Sequence, residues 1–180
     1  EGYGLFLWAR DGPGSGAIVE IGSLFGLSTC WLAAGTRASD REQVIAVDHF
    51  RGSPEHQRDG SHPLGVVVEG GSTLPVFLSN VHRLGLGDWV SPWVGKSTQV
   101  GSRWQEPVRF LFIDGDHSYS GCRADFEIWS KHVVAEGVIA FHDVGVFPGV
   151  TQLHQELTTS GSWKDVCRVQ SIRMITRVHG

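Results

Sequence analysis

The chain has 180 residues, 41% of them hydrophobic and 19% charged, which suits one globular domain with a full hydrophobic core. Its formal net charge is −4, from 15 basic and 19 acidic residues, and no block of Lys or Arg stands out, so nucleic acid is excluded as a bulk partner. No apolar run approaches the roughly 18 to 20 residues that a membrane-spanning helix needs, which excludes a membrane segment.

The opening stretch EGYGLFLWARDGPGSG has too short an apolar patch, and no basic start, to be a secretory signal. Residue 1 is not Met, and the chain is read as lacking part of its N-terminus. GAIVEIG (16–22) reads as a first strand and LSTCWLAAGTR (27–37) as its helix, with Ser28 or Thr29 near the N-cap. QVIAVDHF (43–50) is a second buried strand ending in Asp48. Residues 51–71 are rich in Gly, Pro, His and charge, so they predict a long loop with room for a helical turn, and a loop of that length is usually functional or mobile. Within it, Arg51, His56 and Arg58 are read as solvated.

STLPVFLSNVHRLGL (72–86) suits a helix and WVSPWVG (89–95) a short strand. VRFLFIDGDHSY (108–119) holds the strongest strand of the chain and ends in a polar cluster. GCRADFEIWSKHV (121–133) is helical, GVIAFHDV (137–144) is another strand, and a helix near 149–160 follows. KDVCRVQSIRMITRV (164–178) offers two β-rich runs linked too tightly for a helical crossover, so one should run antiparallel to its neighbours. Apolar β-branched runs alternating with helices predict an α/β sheet in a single domain. Cys30, Cys122 and Cys167 are odd in number, far apart and without CxxC spacing, so they are expected to be reduced core thiols of a cytoplasmic protein.

Polar residues collect at the predicted strand ends: Glu20, Asp48, Asp114 with Asp116 and His117, then His142 and Asp143. In an open α/β sheet ligands bind at the carboxyl ends of the strands, so four separate segments point to one edge. The first turn, VEIGSLFGLST, looks like a dinucleotide turn, yet Gly22 and Gly26 enclose Ser23, Leu24 and Phe25, and the close-approach glycine is missing. Glu20 would repel a pyrophosphate but attract an ammonium, while Asp48 is placed to bond the hydroxyls of a ribose. A ligand with an adenosine, no phosphate and a positive charge is S-adenosylmethionine (SAM). A nicotinamide-dependent oxidoreductase is disfavoured by the missing glycines, and a SAM-binding fold without catalysis is the other alternative.

VEIGSLFGLST, IAVDHFRG, LFIDGDHSY and GVIAFHDV, in this order and spacing, resemble the class I SAM-dependent methyltransferases, in particular the small bacterial O-methyltransferases related to catechol O-methyltransferase. The resemblance covers nearly all of residues 1–180 and implies a Rossmann-like, doubly wound α/β fold whose seven-stranded sheet has the order 3-2-1-4-5-7-6, with strand 7 antiparallel. It implies that Glu20, Gly22, Ser23 and Ser28 meet the methionine part of the cofactor. Asp48 would hold the ribose, His49 would lie beside the adenine, and Ser97 in VGKS would contact the adenine ring. Asp114 would lie under the sulfonium or on a metal, and the catalytic lysine of catechol-type enzymes falls on His117.

Methyl transfer is an in-line displacement at an activated carbon, so the remaining task is the proton of the acceptor hydroxyl. His117, with an ordinary pKa of about 6.5, suits a general base. Asp114, His142 and Asp143 suit a divalent metal, Mg or Mn or another, as groups converging from neighbouring strands. Catechol-type enzymes carry Asp then Asn or Asp where this chain has His142 then Asp143. A His donor favours manganese, iron or zinc over magnesium, or no metal at all, in which case His142 and His117 share the base role. The acceptor is expected to be a small hydroxylated metabolite or sugar, with Trp8 and Trp104 as candidate pocket walls. Because the N-terminal extension is short, a homodimer that completes the acceptor pocket is a further expectation.

Overall fold

In the computed structural model, which describes residues 1–178, the apolar runs form seven strands: β1 Ala17–Ile21, β2 Val44–Asp48, β3 Val90–Val94, β4 Val108–Ile113, β5 Val133–Phe141, β6 Trp163–Val169 and β7 Ile172–Arg177. They join in one sheet of order β3-β2-β1-β4-β5-β7-β6. Strands β1 to β5 pair in parallel, and β7 runs antiparallel to both β5 and β6, as the tight link after residue 164 implies. The Rossmann-like order and the single reversed strand match the expectation from the sequence.

Helices α1 Gly2–Asp11, α2 Leu27–Ser39, α3 Gly65–Val68 and α4 Leu74–Arg83 precede β3; α5 Ser97–Gly101, α6 Tyr119–Trp129 and α7 Pro148–Thr159 follow it. Because successive strand side chains point to opposite faces, Ile18, Phe110, Phe112, Val138 and Ala140 pack under α1, α2 and α4. Their neighbours Val19, Leu111, Ile113, Ile139 and Phe141 pack instead under α6 and α7. Both faces of the central strands are therefore dry, which is why β4 reads as an unbroken apolar run with one charged exception.

That exception is Arg109, whose buried guanidinium bonds the Glu42 carboxylate and the carbonyl oxygens of Ala9 and Trp8. It fastens the C-terminal end of α1 to the sheet. The sequence reading passed over α1, because two glycines in its first turn weaken its propensity. Packing supplies what propensity lacks: Gly35 of α2 lets α1 approach so closely that a Cβ there would lie 2.4 Å from the Phe6 carbonyl oxygen. Strand β5 begins at Val133 instead of residue 137, and α6 stops at Trp129, because the pair Val133 and Val134 favours an extended chain. The long loop after β2 contains two short helical turns, Pro54–His56 and α3. Among the described residues no helix is long and apolar enough to cross a membrane, and the three cysteines are free, with Cys30 and Cys122 buried.

Candidate active site

The carboxyl ends of β1, β2, β4 and β5 open into one cavity of about 890 Å³. Gly22, Ser23, Ser28, Asp48, His49, Ser97, Asp114, His117, His142 and Asp143 all line it. Glu20 does not. It shares the sheet face of Ile18, so its carboxylate turns under α2, fully buried, where Ser23 Oγ donates to Oε2 at 2.7 Å and the Thr29 hydroxyl donates to the same oxygen. Burial raises its pKa to about 7 against the pull of the Ser28, Thr29 and Ser23 hydroxyls. Oε1 has no partner. Glu20 thus stands behind the cavity wall and reaches it through Ser23 and Ser28. Helix α2 is capped by Gly26 with left-handed φ, so Ser28 and Thr29 lie in its first turn instead of at the N-cap.

Gly22 has φ +87°, and a Cβ there would lie 2.2 Å from the Asp114 carbonyl oxygen. Only glycine allows the ends of β1 and β4 to meet this closely. The loop after it is held by Asp48, whose Oδ2 accepts from the amides of Ser23 at 2.9 Å and Leu24 at 2.8 Å. Its Oδ1 accepts from the amide of Phe50 at 2.6 Å. Three of the roughly four acceptor positions of the carboxylate are taken by backbone, which leaves one free.

At the far end of the cavity, Ser97 Oγ donates to Asp125, a buried carboxylate on α6 whose pKa burial raises to about 6. Sequence reasoning missed Asp125. The signal was present, since Cys122, Asp125, Phe126 and Trp129 recur at i, i+3, i+4 and i+7 and form the buried face of α6, with one carboxylate in an apolar stripe.

The polar cluster forms at the ends of β4 and β5. Asp143 has φ +61°, a left-handed conformation that Asp tolerates, and its carbonyl accepts from the amides of Val146 and Phe147, so the chain turns back sharply before α7. This brings Asp143 Oδ2 to 3.6 Å from His117 Nε2, while Asp114 Oδ1 lies 3.5 Å from the same nitrogen. His117 Nε2 is buried with no hydrogen-bond partner. Its ring stacks on Phe147 at 4.3 Å, with an interplanar angle of 11°. Asp114, His117 and Asp143 bring one donor atom each within 4.8 Å of one another.

His142 stands beside this group and not in it. Its Nδ1 bonds Asp114 Oδ1 at 2.8 Å and its Nε2 bonds Glu1 at 3.2 Å, so neither nitrogen is available to a metal in this arrangement. Burial opposes its charge, but Asp114, Asp143 and Glu1 together push its pKa up to about 9. In this arrangement it is His117, and not His142, that shares a donor group with Asp114 and Asp143, while His142 pairs with Asp114 and Glu1. Burial likewise opposes the charged form of Asp114, yet His117 and His142 outweigh it and hold its pKa below the ordinary value.

Trp8 and Trp104 do not line the cavity. Trp8 stacks on Phe110, and Trp104 is buried between Trp93 and Trp129. The tryptophan on the wall is Trp31 of α2, with Leu5, Leu24, Phe25 and Leu27 near it. His56, read as solvated, also lines the cavity, and so does Glu55, which sequence reasoning did not single out.

Residues 19–144 match the family model described as a methyltransferase domain. In fold the chain is similar to the O-methyltransferase NovP, with a TM-score of 0.78 and 16% identity over 99% of this chain and 79% of that one. It is similar to an O-methyltransferase from Bacillus cereus in complex with SAH, with a TM-score of 0.68 and 22% identity over 98% and 80% of the two chains. It is similar also to CalS11, a TDP-rhamnose 3'-O-methyltransferase of calicheamicin biosynthesis, with a TM-score of 0.66 and 16% identity over 97% and 76%. At these identities the likeness is one of fold.

Proposed function

Because this chain belongs to the family of methyltransferase domains, we propose that it transfers a methyl group from SAM to a hydroxyl of a small acceptor, a hydroxylated metabolite or a sugar. The observation that carries this proposal is the continuity of the cavity. Its lining runs from Ser97 and His49 past Asp48 and the Gly22 loop to Asp114, His117 and Asp143, with an apolar wall at Leu5 and Trp31. A volume of about 890 Å³ is enough for a nucleoside-sized ligand and a second small molecule. The SAH complex of the Bacillus cereus relative supports the cofactor, and the sugar named for CalS11 supports a polyhydroxylated acceptor.

Bound SAM supplies a methyl carbon already activated by a sulfonium, so the chain has to align the reactants and manage one proton. Ser23 and Ser28 meet the methionine end, with Glu20 behind them as the acid that favours an ammonium. Asp48 binds the ribose by its free acceptor position, and Ser97 and His49 flank the base.

Asp114, His117 and Asp143 fit a divalent cation: two carboxylates and an imidazole lie within reach of one centre, and the imidazole nitrogen is buried without a partner. This mixed set of donors suits manganese, iron or zinc better than magnesium. A cation held there would lower the pKa of the acceptor hydroxyl. The same partnerless nitrogen supports a second use, in which His117 Nε2 takes the proton of the acceptor directly.

Calorimetry with SAM and SAH tests the cofactor, and both are expected to bind. Binding of neither overturns the proposal. Methyl transfer to a panel of catechols and sugars, run with and without a chelator, then separates the two uses of His117: activity lost on chelation and restored by manganese selects the cation, and activity retained selects the base.

A further inference from the structure

The His117 ring is contacted on its face, where Phe147 stacks, and at Nδ1, which bonds Glu55 Oε1 at 3.1 Å, and it has two carboxylates near Nε2. Glu55 comes from the loop after β2, 62 positions away in the chain. Its place is fixed by local structure: Pro54 opens the short helical turn, Ser53 and His56 cap it reciprocally, and the Glu55 carbonyl accepts from the amide of His62 at 2.9 Å. Gln57 adds side-chain bonds to the Arg51 and Gly52 carbonyls. The loop thus presents Glu55 as a built feature and not as a stray surface acid.

A neutral imidazole carries one proton, and the nitrogen that donates a hydrogen bond determines which nitrogen keeps a lone pair. Glu55, as a carboxylate, only accepts. Burial opposes the charged ring of His117, but Asp114, Glu55 and Asp143 outweigh it and raise its pKa; of these contacts the 3.1 Å bond to Glu55 is shorter than the 3.5 and 3.6 Å approaches at Nε2, so the neutral ring keeps its proton on Nδ1 and its lone pair on Nε2. We propose that Glu55 is a positioning residue: by accepting from His117 Nδ1 it selects the tautomer whose Nε2 lone pair faces Asp114 and Asp143. Both uses of His117 described above need that lone pair, so the inference deepens the proposed function and rests on it for its purpose, though not for its geometry. The same loop lines the cavity at Gly52, Ser53, Pro54 and His56. It accordingly shapes the space for the ligand and prepares the histidine with one segment of chain.

The test is two-bond proton–nitrogen NMR of the histidine-labelled protein, recorded at a pH where His117 is neutral, with its signals assigned by their loss in His117→Asn. The wild type is expected to show the Nδ1–H form. Glu55→Gln, whose amide oxygen still accepts, should keep it, and Glu55→Ala should shift His117 towards the Nε2–H form. An Nε2–H form in the wild type, or an unchanged Nδ1–H form in Glu55→Ala, overturns the inference. The backbone amide signals of Ser53, His56 and His62 in the proton–nitrogen spectrum of each variant should keep their wild-type positions, so a collapsed loop would be seen separately. If the cation is bound, Glu55→Ala should also weaken Mn²⁺ binding by roughly 10- to 100-fold, the usual effect of losing an outer partner of a ligating histidine. Failure of the wild type to bind SAH would count against the proposed function, and failure to bind Mn²⁺ against its cation reading, without altering the tautomer result.

Discussion

Glu20 shows how one buried carboxylate ties stability to cofactor choice. Its pKa is about 7 in the folded protein against 4.5 as the ordinary value, so the folded state holds a proton that the unfolded chain has already released between these values. The stability that Glu20 contributes is present below about pH 4.5 and is lost as pH rises through 7. At 1.36 kcal/mol per pH unit the loss is about 3 kcal/mol. Urea unfolding at pH 5 and pH 8 should show a fall in wild-type stability that is smaller by about 2 to 3 kcal/mol in Glu20→Gln, the remainder coming from Asp125 and His142. Sequence reasoning found Glu20 because an acid before a glycine turn is chemically odd. It did not place the side chain behind the wall, although strand parity with Ile18 contained that information. Glu55 was harder to find, because its role depends on a contact 62 positions away and no local pattern encodes one. The sequence did place His142 and Asp143 at the end of the right strand, but which of two histidines turns inward depends on the left-handed Asp143 and the stacking of Phe147.

The unit that builds the site is the pair of central strands β1 and β4 with the turns that leave them. Their carboxyl ends are drawn together at Gly22, where the Asp114 amide donates to the Ile21 carbonyl at 2.9 Å. Gly22→Ala forces a side chain into a left-handed conformation and against the Asp114 carbonyl. A loss on the order of 3 kcal/mol is expected in chemical denaturation, together with loss of SAH binding in calorimetry, because Asp114 must move. The strands themselves were legible, since an interior parallel strand must be apolar on both faces and so announces itself as a continuous run. Helix α1 was not, because its helicity comes from docking on α2, and element ends shifted where α6 yields to the β-branched start of β5.

At the scale of the whole molecule, adhesion and chemistry are kept at opposite ends of the sheet. The carboxyl edge holds the cavity, while near the start of β4 Arg109 and Glu42 hold α1 against the sheet. Arg109→Leu removes the donor to the Ala9 carbonyl and to Glu42, but Glu42 is part-exposed and keeps Arg41 at 3.5 Å, so a cost of about 1 to 3 kcal/mol is expected in urea unfolding. Neither Arg109 nor Glu42 lines the cavity, but Gly2 and Leu5 of α1 do, so SAH affinity measured by calorimetry should fall to the extent that α1 is released. The α/β class and the reversed strand were readable from the alternation of elements and the closing hairpin, whereas the strand order followed only from the family resemblance. Asp48 adds a consequence at this scale. One carboxylate satisfies amides in two loops that leave different strands, so those loops cannot loosen one at a time: without it, three backbone donors lose their partner together. The wall on which the methionine would rest and the wall beside the ribose therefore share a single fastening, and position 48 has little freedom to adjust affinity for one half of the cofactor while sparing the other.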